Sequence, residues 1–142
     1  MVFFMKKLFV FLCVILSFTA KAKELIIADK VSYNVAVAKT LKQKQKGLMF
    51  VKRLPMNRGM LFDVRENEKV SMWMKNTYVS LDMIFLDCDY KIVDVYENAK
   101  PHSLDEITSD ENFCYVLEVN GGDFDKYKLK LGDRFKMLKV KD

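Results

Sequence analysis

Met72-Trp73-Met74-Lys75-Asn76-Thr77-Tyr78-Val79-Ser80-Leu81-Asp82 decides how the chain is read. It places the only tryptophan, a lysine, an asparagine, a threonine and an aspartate between two apolar runs. Upstream, Val70, Met72 and Met74 alternate with Ser71, Trp73 and Lys75. Downstream, Leu81, Met83 and Phe85 alternate with Asp82, Ile84 and Leu86. Alternation with period two is the mark of a strand with two unlike faces. Asn76-Thr77 supplies the turn between the runs, so the stretch predicts a hairpin.

Working outward, Gly59 to Phe62 reads as a preceding strand, and Ile92 to Tyr96 as a return strand after the turn Asp87-Cys88-Asp89-Tyr90. Residues 59–97 therefore predict an antiparallel meander. Glu24 to Ala28 and Val31 to Ala38, separated by Asp29-Lys30, predict another hairpin. Thr40 is a good helix N-cap, and Gly47 can close the helix in the left-handed conformation. The lysines between them read as a solvated face. Leu48, Met49 and Phe50 follow as an apolar patch suited to a partner. Glu97 to Asn112, with Pro101 and the single histidine His102, reads as a long loop. Phe113 to Val119 and Arg134 to Val140 read as closing strands, with a short helix near 122–128 after the sharp break at Gly121-Gly122. The fold class is mainly β. A compact antiparallel β-sandwich or small barrel of about eight short strands is expected, with one or two short helices.

Residues 1–22 are set apart. Lys6 and Lys7 precede the apolar run Leu8 to Phe18, and Ala20-Lys21-Ala22 provides small residues at a cleavage position. This pattern predicts a cleaved secretory signal peptide, with residues 23–142 as one domain. The run is too short to span a bilayer, so no membrane span is expected after cleavage. Export to the periplasm, or secretion, follows from that reading. The formal charge of +5 includes Lys6, Lys7 and Lys21, so the remainder carries only +2. Acids and bases are interspersed, with no basic stripe for nucleic acid. Cys88 and Cys114 remain, and an oxidising compartment permits either a disulfide between them or two separate thiols. The single histidine and scattered methionines make no metal-ligand set, and no cofactor motif is present.

The order of motifs resembles a known family. Gly47-Leu48-Met49, Gly59 to Phe62, Trp73 to Thr77, Leu81-Asp82, Val116 to Gly122 and Leu131-Gly132-Asp133 occur in the sequence and spacing of DUF192, also called UPF0127. The resemblance runs from about Val31 to Val140. It implies a single, mostly antiparallel β-domain, commonly exported, with no established activity. In the turn 87–90 the family carries a late glycine where this chain has none, which implies a different turn type here.

Asp82 and Glu118 are acids inside apolar strands. A buried carboxyl needs a partner, and Lys75 stands nearest to Asp82 in sequence. Trp73, Lys75, Asn76, Thr77, Asp82, Glu118 and Asn120 form the set of candidate ligand-binding residues. The structural alternative is that Asn76 and Thr77 shape a turn, Lys75 pairs with Asp82, Glu118 bonds the amides of the Asn120-Gly121-Gly122 break, and Trp73 covers the sheet. The signal peptide, the compact β-domain and the absence of a catalytic motif favour a binding or accessory module for a small polar ligand or an envelope protein, expected as a monomer. The alternative is a small glycosidase-like hydrolase using Asp82 and Glu118 as a carboxylate pair.

Overall fold

A computed structural model describes residues 24–67 and 69–139. The signal-peptide reading of residues 1–22 lies outside them. Among the described residues, seven strands and two short helices follow one another as β1 (Glu24–Ala28), β2 (Val31–Ala38), α1 (Leu41–Lys46), β3 (Arg58–Asp63), β4 (Leu81–Leu86), β5 (Ile92–Ala99), β6 (Tyr115–Asn120), α2 (Asp123–Lys126) and β7 (Lys136–Lys139). They form one curled sheet in the order β5-β4-β6-β3-β2-β1-β7. The mainly β expectation holds, with seven strands where about eight were expected.

The hairpins β1–β2 and β4–β5 are those the alternation predicts. The meander over 59–97 is not formed. β6 inserts between β3 and β4, antiparallel to both. β3 lies parallel to β2 on its other side, reached by a crossover that contains α1. Val70 to Met74 is not a strand either. Its only ladder contact is the isolated bridge Met72–Ile107, made with the loop 100–114. Its alternation arises because an extended loop lies on the sheet and turns Met74 inward while Ser71 and Trp73 face out.

The two edges of the sheet approach each other. Lys91 bridges Arg134, and the Ile92 N–H donates to Asp133 O, 2.8 Å, so the start of β5 meets the chain just before β7. The concave face holds one core, including Ile26, Tyr33, Leu61, Ile84, Leu117 and Phe135. The outer face of β3, β6 and β4 holds a second core, including Phe62, Met83, Phe85 and Val116. Three loops roof this second core through Leu48 and Leu54, Val64 and Met74, and Ile107. β4 and β6 are buried on both faces because they lie between two cores, and they are apolar apart from Asp82, Glu118 and Asn120.

Local chemistry fixes the ends of the elements. Thr40 Oγ accepts from the Gln43 N–H, and Gln43 Oε1 accepts from the Thr40 N–H, a reciprocal capping box that starts α1. Gly47 ends it with φ 48°. Tyr90 adopts φ 60° in the turn 87–90, the left-handed conformation that a glycine would favour there. The turn therefore keeps that conformation without a glycine, and Tyr90 stacks on Tyr115 with ring centroids 4.6 Å apart. Cys88 and Cys114 form a disulfide with Cα atoms 5.0 Å apart.

Candidate functional site

Parity along β6 separates the two acids. Asp82 on β4 pairs with Val119, on the concave face, whereas Glu118 pairs with Met83 on β4 and Met60 on β3, on the outer face. The sheet stands between them. They do not form the two-carboxylate arrangement that the hydrolase reading requires.

Asp82 is wholly buried and fully engaged. Its Oδ1 accepts from the N–H groups of Asn98 at 2.8 Å and Gly122 at 3.0 Å, and its Oδ2 accepts from Phe124 at 2.9 Å. One carboxylate thus ties β4 to an irregularity in β5, where Asn98 has φ 52°, and to the first turn of α2. Lys75 is not its partner, because Lys75 lies exposed above the outer face. Beside Asp82 on the concave side, Asp123 accepts from Tyr33 Oη at 3.2 Å. Burial pushes the Asp123 carboxyl up from the usual range and pushes the Tyr33 phenol up as well. The sequence singled out neither as a pair, since they lie 90 residues apart.

Glu118 stands in a different setting. It is 4% exposed, yet it lines the floor of a cleft of about 330 Å³ between α1, β3 and the loop 64–77. Burial alone acts on its carboxyl, with no hydrogen bond and no charge among the described residues, and pushes it up to about 8. It does not bond the amides of the Asn120-Gly121-Gly122 break, as the structural alternative supposed. Asp82 takes the Gly122 amide instead.

The walls of the cleft are apolar, with Leu48, Met49, Phe62, Val64 and Met72. Trp73 stands at the rim, 47% exposed, so it is neither core nor sheet cover. The Lys75 ammonium lies 5.0 Å from its ring centroid, a cation–π contact that orients the indole. Thr77 also lines the cleft, but its hydroxyl already donates to Lys75 O at 3.1 Å. Asn76, with φ 52°, accepts at its carbonyl from the Phe50 N–H. Asn120 donates to Leu54 O at 3.1 Å and fixes the first roofing loop. Of the predicted set, the structure brings Trp73, Thr77 and Glu118 to one cleft, with Lys75 behind Trp73. Asn76, Asp82 and Asn120 hold the surrounding backbone.

Gly59 serves the same region. A Cβ there would sit 2.5 Å from Glu118 O, so glycine lets β3 and β6 approach beneath the cleft. Lys44, Lys46 and Lys69 reach the cleft mouth. They were not recognised as site residues in the sequence, because a run of lysines on a short helix carries no sign of what faces it. Of the apolar patch, Leu48 is buried and Phe50 exposed. Phe50 meets Tyr78 edge-on at 6.2 Å, and Tyr78 packs on His102 at 5.1 Å.

The match to known proteins covers this whole architecture. Residues 24–137 fit the DUF192 family model, described as Uncharacterized ACR. The chain belongs to the DUF192 family. Two crystal structures are similar to this DUF192 domain. One is a Novosphingobium aromaticivorans protein of unknown function, 28% identical, with a TM-score of 0.73, covering 80% of this chain and 82% of that one. The other is a Sinorhizobium meliloti protein described as a candidate transcription regulator, 38% identical, with a TM-score of 0.72, covering 80% of this chain and 91% of that one. No curated protein matches the chain. Among the described residues, no helix is long and apolar enough to cross a membrane.

Proposed function

We propose that this DUF192 domain is a binding module of the bacterial cell envelope whose outer-face cleft takes a small polar ligand. The observation that carries the reading is Glu118. Glu118 is largely removed from solvent, its remaining exposure opens on the cleft, and among the described residues it has no hydrogen-bond partner, an arrangement held at a cost in free energy. At the floor of an open cleft, a bound ligand supplies the missing partner. The apolar walls and few polar groups match the usual make-up of a small-molecule site. Trp73 at the rim offers a flat face against which a ring or chain can lie.

Export supports the envelope assignment. Residues 1–22 have the order of a secretory signal, and the Cys88–Cys114 disulfide suits an oxidising compartment. The charge pattern offers no counterpart to the transcription-regulator description of the Sinorhizobium protein. Outside the signal region the charge is only +2, with acids and bases mixed.

The test is a thermal-shift screen of the purified protein against envelope metabolites and glycans, repeated on Glu118→Ala and Trp73→Ala. A ligand of the cleft raises the melting temperature of the wild type by mass action, at 100 times its Kd by about 2.7 kcal/mol of stability. The shift is expected to vanish in Glu118→Ala and shrink in Trp73→Ala. A hit whose shift is unchanged in both variants binds elsewhere and overturns the assignment.

A further inference from the structure

We infer that the cleft is electrically polarised and selects an amphoteric small molecule, with its amine end buried against Glu118 and its anionic end among the lysines at the mouth. This rests on the reading of the cleft as a ligand site and adds the chemistry and direction of the ligand.

The floor excludes one sign of charge. Glu118 is flanked in register by Met60 and Met83, and the Thr77 hydroxyl is committed to Lys75 O. Once Glu118 is ionised, an anionic ligand group placed here would face a carboxylate with no cation among the described residues to separate them. A neutral hydroxyl could share one hydrogen bond. An ammonium does more, because it gives the carboxylate a charge-assisted bond in a low-dielectric setting. The walls then suit a hydrocarbon stem, with Phe62, Val64 and Met72 along its path.

The mouth favours the opposite sign. Lys44 and Lys46 come from the last turn of α1, a helix with no acid in its first turn, and Lys69 comes from the loop beyond β3. Lys44 Nζ donates to Asp63 O at 3.1 Å and to Asn67 Oδ1 at 2.8 Å. Both acceptors are neutral, and the nearby Asp63 carboxylate, itself paired with Arg65, offsets part of the Lys44 charge, which leaves Lys46 and Lys69 as the main cations of the mouth. Among the described residues, Glu118 is the only acid that lines the cleft, and these three lysines are the only other charged groups. The volume of about 330 Å³ is at the small end for ligand sites, which fits a short molecule bearing both groups.

A second consequence concerns protons. Glu118 is mostly protonated at pH 7, because burial holds it near 8. It must release that proton to pair with an ammonium. The amine, near 10, keeps its own charge below that range. Affinity for an amine-bearing ligand therefore tightens as pH rises from 6 towards 8 and then levels off.

The experiment is calorimetry and NMR titration of the purified protein with four probes of one length: 6-aminohexanoate, hexylamine, hexanoate and 1-hexanol. The expected order places 6-aminohexanoate first and hexylamine second, with hexanoate and hexanol about tenfold or more weaker. Glu118→Gln, close in shape, should erase the preference for amines. The double variant Lys46→Ala/Lys69→Ala should bring 6-aminohexanoate down to the level of hexylamine. The Kd of 6-aminohexanoate should fall between pH 6 and 8 in the wild type and stay flat in Glu118→Gln. Hexanoate or hexanol binding as tightly as 6-aminohexanoate overturns the polarity while leaving the cleft as a site. If neither these probes nor any compound from the screen perturbs Trp73 and its neighbours, both readings fall.

Discussion

Glu118 and Asp82 look alike in the sequence, each a lone acid in an apolar strand, yet burial acts on them through opposite surroundings. Asp82 has three backbone donors and holds two elements together. Asp82→Asn leaves one good acceptor oxygen and removes the charge, so it should destabilise the fold by roughly 2–4 kcal/mol. Urea denaturation at neutral pH measures this, and a variant as stable as the wild type would show that the three bonds contribute nothing. Among the described residues Glu118 has no such donors, and its carboxyl is raised from 4.5 to about 8. The folded state therefore keeps a proton that the unfolded chain releases between those values. Stability from this group falls as pH rises through that window. Glu118→Gln removes the penalty. It should be close to neutral near pH 4.5 and stabilising by roughly 2–5 kcal/mol above pH 8. Equal effects at pH 4.5 and 8.5 would mean the carboxyl is already solvated or paired. Both acids were legible as residues needing partners. Their separation onto two faces was not, because parity within each strand says nothing until the register between strands is known.

Among the elements, those with self-contained signals matched their reading. α1 announces its start through the N-cap Thr40 and its end through Gly47, and the structure adds Gln43 as the reciprocal half of the cap. The hairpins β1–β2 and β4–β5 announce themselves by alternation and a short polar turn. Val70 to Met74 carries the same alternation but forms a roofing loop, since an extended segment lying on any apolar surface buries every second residue. The turn 87–90 shows the limit in another way. Tyr90 takes a left-handed conformation that its side chain disfavours, held by stacking on Tyr115. The disulfide reinforces this corner by tying that turn to the entrance of β6. It links residues 26 positions apart, for which chain entropy alone gives about 3.5 kcal/mol. Replacing both cysteines by alanine should lower stability by roughly that amount, seen as an earlier urea midpoint. Unchanged midpoints for the wild type with and without reductant would remove the disulfide from the account of stability.

At the scale of the whole molecule, the sheet curls until the start of β5 meets the approach to β7. That curl divides the chain into two cores with different tasks. The concave core encloses Asp82, Asp123 and Tyr33 among apolar side chains, and it stabilises the domain. The outer core, roofed by three loops, leaves the cleft open over Glu118. The sequence by itself determined the β class, the local hairpins, the α1 caps and the two acids that required explanation, because each depends on residues near one another in the chain. Only the tertiary structure decided that β6 lies between β3 and β4, that β2 and β3 run parallel, and that Glu118 faces Trp73 and the α1 lysines across one cleft. Those choices follow from burying two faces of a single sheet at once, a condition set by surfaces that meet only after the chain has folded.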